Sequence, residues 1–161
     1  MDHVHRRDFL IVAGALLAAP TVIVAQPARS VYRIGILGSS TKTSDLVGPQ
    51  PRDPGVNAFL RGLRDLGYEY GEHFVTEPRS AEGKIERFAS LAAELVGLRV
   101  DVTVAGGPAL DALKQATSTI PVVMLGAPDP VSQGYVQSLR RPGGNFTGLS
   151  LQLVETTGKR L

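Results

Sequence analysis

Three short clusters in this chain combine residue types suited to holding a small polar molecule: Ser39-Ser40-Thr41, Gly106-Gly107-Pro108 and Asp129-Pro130. Each follows closely on an apolar, largely β-branched run (Val31 to Leu37, Val100 to Val104, Pro121 to Leu125), so each is expected in a loop at the carboxyl end of a strand. The first loop, Gly38 to Ser44, is dense in hydroxyls. In the second, Gly106 and Gly107 carry no side chain to shield the amides that open a helix, and Pro108 suits a first helical position, where an N–H is not needed. Bare amides at a helix start favour a carboxylate or a phosphate. Most Gly-Gly-Pro turns are nonetheless tight connections and nothing more. The candidate ligand-binding residues are therefore Ser39, Ser40, Thr41, Gly106, Gly107 and Asp129.

Other chemistries lack their parts. Without a single cysteine there is no disulfide, thiolate nucleophile or Cys-based zinc site, and of three histidines only His73 lies outside the first few residues. One imidazole beside Glu72 makes neither a triad nor a metal cluster, and Asp101, Asp111 and Asp129 belong to different segments. Lys42 is not preceded by the spacing of a phosphate-binding loop, and Gly35 and Gly38 do not make a dinucleotide fingerprint. No catalytic residue, metal site or cofactor is expected. A net charge of +2 and an isoelectric point near 9.2 come from scattered lysines and arginines with few aromatics, which argues against a nucleic acid partner.

The elements that must position these loops follow from periodicity. Arg99 to Pro130 reads as one βαβ unit, because two parallel strands need a crossover and the segment carrying Leu110 and Leu113 suits a helix of about three turns. Before it, Asp53 is placed to cap a helix with Pro54 at its first position and Val56, Phe59, Leu60 and Leu63 on one face, ending at Gly67. Phe74 to Glu77 is a more polar strand suited to a sheet edge, with Pro78 behind it. Ile85, Phe88, Ala92, Leu95 and Val96 are expected to form the buried stripe of the next helix. Val131 to Leu139 reads as a short helix and Asn145 to Ser150 as a last strand. The order β-α-β-α-β-α-β-α-β implies an α/β fold: a doubly wound, parallel five-stranded sheet with helices on both faces.

The first 25 residues read differently. Arg6-Arg7-Asp8-Phe9-Leu10 opens an uncharged run from Phe9 to Ala28, and Ile23-Val24-Ala25 is a small-residue cleavage site. This has the form of a twin-arginine export signal, cleaved after Ala25, and puts the protein in the periplasm. A retained anchor is the rival, weakened by Gly14, Pro20 and Pro27.

Taken together, Arg6-Arg7-Asp8-Phe9-Leu10, Phe59 to Tyr68, Ala81-Glu82-Gly83-Lys84, Leu91 to Val96, Ala116 to Val123, Asp129-Pro130-Val131 and Arg141 to Gly148 resemble the ABC-transporter substrate-binding proteins of the tryptophan- and tyrosine-binding type, with a type I periplasmic binding fold. The resemblance implies two α/β lobes closing on a small ligand, which is handed to a membrane permease driven by ATP hydrolysis on a separate subunit. It implies that residues 26–150 are the first lobe and 151–161 the hinge crossing and opening of a second. It also implies that the three loops line one wall of the cleft, where hydroxyls and amides hold an amino-acid carboxylate and Asp129 either accepts from an ammonium or caps the helix after it. The expected partners are a small-molecule ligand and an ABC permease, with the binding protein itself a monomer. An exported flavodoxin-like enzyme and a membrane-anchored sensor or interaction module are the alternatives.

Overall fold

Parallel pairing needs a return crossing after every strand, and the chain supplies three of its four crossings as helices. The computed structural model describes residues 31–151; the expected export leader, the rest of the segment before Val31 and nearly all of the expected hinge crossing lie outside the described residues. In chain order the elements are β1 (Tyr32–Gly38), α1 (Pro54–Asp65), β2 (Phe74–Ser80), α2 (Phe88–Gly97), β3 (Val102–Ala105), α3 (Ala109–Ala116), β4 (Val122–Ala127) and β5 (Phe146–Ser150). The strands form one sheet in the order β2-β1-β3-β4-β5, and every neighbouring pair is parallel.

That order reverses direction beside β1: the chain steps outward to β2, then crosses back over β1 to β3. A right-handed crossover taken in opposite directions lands on opposite faces, and the two cores record this. On one face Val56 and Leu60 of α1 pack with Ile34, Ile36, Phe74 and Val104. On the other, α2 and α3 bring Phe88, Leu91, Leu95, Leu110 and Leu113 against Leu37, Val122, Met124 and Phe146. Alternation along β1 divides Ile34 and Ile36 from Leu37 between the faces, as a strand covered on both sides requires. Gly35 lets α2 sit close: a side chain there would meet Val100 and Leu95 at 3.2–3.3 Å.

Local signals set most boundaries. Asp53 Oδ1 accepts from the Val56 N–H at 2.9 Å, with Pro54 at the first turn of α1. Pro78 does not end β2, which runs on to Ser80. Because β2 lies at the edge of the sheet among the described residues, beside β1, the missing N–H of proline can face outward without breaking a ladder bond.

Two expectations are corrected. Residues 131–139 form no helix but a chain of turns, in which Tyr135 and Val136 both donate to the Pro130 carbonyl and Gly134 donates to that of Val131. Gly134, at φ +66, turns the backbone out of the right-handed path after a single turn. Ile85 is not part of the buried stripe: it lies in a 3₁₀ turn (Ile85–Arg87) and is 71% exposed, while Leu91 takes its place. The α-helix begins only at Phe88, so the periodic face starts one turn later than the apolar spacing suggests.

Candidate functional site

Since the strands are all parallel, the loops after β1, β3 and β4 leave the sheet at one edge, from three strands that stand side by side. In open α/β sheets this carboxyl edge, beside the point where strand order reverses, is where ligands sit. Two strand spacings separate the outer loops, about 10 Å, a distance that one small molecule can bridge. All six residues expected from the sequence lie on this rim.

The loop after β1 is tied down at both ends. The Gly38 and Ser39 carbonyls accept from the Ala81 and Gly83 N–H groups at 3.0 and 2.8 Å. At the far end the Thr41 hydroxyl donates to Asp53 Oδ2 at 2.9 Å, while the Asp53 N–H donates to the Asp45 carbonyl. Asp53 thus serves two structures, capping α1 with one oxygen and holding the loop with the other. Thr41 is committed to this contact; Ser39 and Ser40 are exposed, and their hydroxyls make no hydrogen bond among the described residues.

One residue of this rim was not singled out from the sequence. Glu82 sits in the turn Ala81–Lys84 after β2, closed by the Lys84 N–H donating to the Ala81 carbonyl at 2.9 Å. Both central residues have positive φ, +52 at Glu82 and +82 at Gly83, as a type I′ turn requires. For a glutamate this conformation costs of order 1–3 kcal/mol. The Glu82 carboxylate accepts from the Thr43 N–H at 3.1 Å and lies 3.8 Å from the Arg87 guanidinium. The Thr43 amide, then Arg87, the Thr43 hydroxyl and Lys42, hold its carboxyl below the ordinary value. Beneath it the fully buried Ser80 hydroxyl accepts from the Glu82 N–H at 3.2 Å. The only sequence signal was the Ala-Glu-Gly-Lys turn itself.

At the second loop α3 starts at Ala109, one residue later than expected, with Pro108 already helical in backbone and no side chain capping the helix. Gly107, at φ +57, has open space where a Cβ would stand, and Gly106 lies against Leu125 of β4. At the third, Asp129 Oδ1 accepts from the Ser132 N–H at 3.0 Å, and the contacts with Ser132 depress its pKa. Asp129 therefore caps the next turn, although the helix expected there is absent.

A cavity of about 520 Å³ lies away from this rim, between the end of α3, the 131–144 turns and the start of β5. Several of its polar groups are already engaged. Lys114 Nζ donates to the Gln133 carbonyl and lies 5.5 Å from the centre of the Tyr135 ring, the Thr117 hydroxyl accepts from the Ile120 N–H, and Asn145 donates to Thr117 and Ile120 carbonyls. It fills the place of the missing crossover helix.

Residues 44–158 match the family described as ABC transporter substrate binding protein. The chain is 33% identical over 122 residues to a tyrosine-binding protein of Clostridioides difficile, a match covering 70% of this chain and 35% of the relative. It is similar to the structure of an ABC domain in complex with L-Trp from Streptococcus pneumonia, with a TM-score of 0.61, 29% identity and coverage of 75% of this chain and 39% of that one. It is also similar to a ligand-free, open substrate binding protein with adhesive properties from Clostridium difficile, with a TM-score of 0.63, 27% identity and coverage of 74% and 39%. The chain thus spans little more than a third of the length of these relatives.

Proposed function

The chain belongs to the ABC transporter substrate binding protein family, and on that premise we propose that it captures an aromatic α-amino acid on the carboxyl rim of its sheet, for delivery to a membrane permease. The family is one of binding rather than catalysis. The observation that carries the reading is the convergence of the loops after β1, β3 and β4 on one edge, from adjacent strands. Ser39 and Ser40 supply hydroxyls, and the Gly106-Gly107 turn presents backbone amides at the start of α3, so the pair is suited to a ligand carboxylate. The aromatic side chain is suggested by what the relatives bind: tyrosine in one, L-Trp in another. The rim would be one wall of a cleft and a second α/β lobe the other.

A thermal-shift titration with L-tryptophan and L-tyrosine tests this. A ligand that binds only the folded state adds about 2.7 kcal/mol of apparent stability at a hundredfold excess over its dissociation constant. A rise with either amino acid and none with glycine is expected; flat curves with all three would contradict the proposal. Capture for import also places the protein outside the cytoplasm, in the periplasm. The twin-arginine leader supports this, and N-terminal sequencing of exported protein should begin at Gln26, whereas a start at Met1 would favour a retained anchor.

A further inference from the structure

A glutamate is an unexpected residue at the first central position of a type I′ turn. Glycine would take that backbone without strain, and asparagine or aspartate with little. Among the described residues only Glu82 and Arg99 are non-glycine residues at positive φ. Arg99 follows α2 directly, where helices commonly end in a left-handed residue. Glu82 has no such excuse, since its turn joins a strand to the 3₁₀ turn ahead of a helix. Its side chain differs from those residues in reach: it extends from the end of the edge strand to the Thr43 N–H, across the loop after β1.

We infer that Glu82 is a positioning residue for the ligand-binding rim. Its carboxylate braces the 39–45 loop so that the Ser39 and Ser40 hydroxyls are presented in one arrangement. The inference rests on the reading of this rim as a ligand wall. The loop is held on the β2 side by two backbone bonds and the Glu82 carboxylate, and on the α1 side by Asp53. The Ser39 carbonyl is itself one of the held points, Ser40 lies between it and the Thr41 tie, and the Glu82 bond fixes the loop from beyond, at Thr43. A loop fixed before binding loses less freedom when it binds, so bracing acts on affinity without Glu82 touching the ligand. Strained backbone at a site is a reason to look for such a role.

The test compares the protein with Glu82→Gln, Glu82→Ala and Glu82→Gly by amide hydrogen exchange and by calorimetric titration with L-tryptophan. Glutamine keeps the acceptor, alanine removes it, and glycine removes it while relieving the backbone. Exchange at Thr43 should quicken about tenfold in the alanine and glycine variants, the loss of one charged-acceptor hydrogen bond, and by much less in the glutamine variant. Amides of β1 and β3 should be unaffected in Glu82→Gly. Affinity for L-tryptophan should fall with alanine and glycine and be restored in glutamine. Unchanged Thr43 exchange would overturn the inference, as would a loosened loop with full affinity. Quickened exchange in a protein whose unaltered form binds neither L-tryptophan nor L-tyrosine would support the brace and defeat the ligand reading.

Discussion

At the residue scale, what the side chains can do is decided by which of them are already occupied. Asp53 was readable because Asp-Pro ahead of a periodic apolar face is a helix-start signature; the same signature at Asp129 pointed to a helix, and the residue caps a turn instead. Neither the hold of Asp53's second oxygen on Thr41 nor the reach of Glu82 to Thr43 could be read, since both join segments that the fold alone brings together. Tyr135 is another such case. Its hydroxyl donates to Asp111 at 2.7 Å and its ring stacks on Phe146 at 5.4 Å. Burial first, then the bond to Asp111 and that group's charge, push its pKa up to about 12. Because the folded value exceeds the ordinary 10.0, the stabilisation from this phenol is full below pH 10 and disappears as pH climbs through 12. Melting temperature should therefore fall across that interval more steeply in the parent protein than in Tyr135→Phe; parallel curves would show that Tyr135 titrates normally.

At the element scale, five strands and three of the four expected helices were legible because each carries a periodicity or a cap that does not depend on tertiary context. The fourth crossing failed for a local reason: Gly134 ends it after one turn, and its apolar residues, Tyr135 and Val136, are buried from an irregular backbone instead. The last strand depends on a glycine as well. Gly148 takes φ +133 where the β4–β5 register shifts, and a Cβ there would collide with the Met124 backbone, its carbonyl oxygen included. Gly148→Ala should cost roughly 2–3 kcal/mol from conformational strain and the lost close approach, measured by urea denaturation. It should also loosen β5 amides before those of β1. A change below about 0.5 kcal/mol, the ordinary scatter of surface substitutions, would mean that β5 is not seated as described.

At the scale of the whole molecule, the strand order was not written in any one segment; what the sequence carried was the alternation of strand and helix and the glycine, hydroxyl and Asp-Pro signals at the strand ends. Right-handed crossovers then leave few ways to arrange such a chain, and the order β2-β1-β3-β4-β5 puts α1 on one face and α2 and α3 on the other. With that order given, the loops at Ser39, Gly106 and Asp129 have no choice of edge. The most direct measurement is residue-by-residue backbone NMR during a titration with L-tryptophan. Shifts concentrated at Ser39, Ser40, Gly106, Gly107 and the Asp129 turn, with the Lys114–Tyr135 cavity silent, are what the rim predicts. Shifts confined to that cavity, or to the amino-terminal edge around Tyr32, His73 and Asn145, would contradict it.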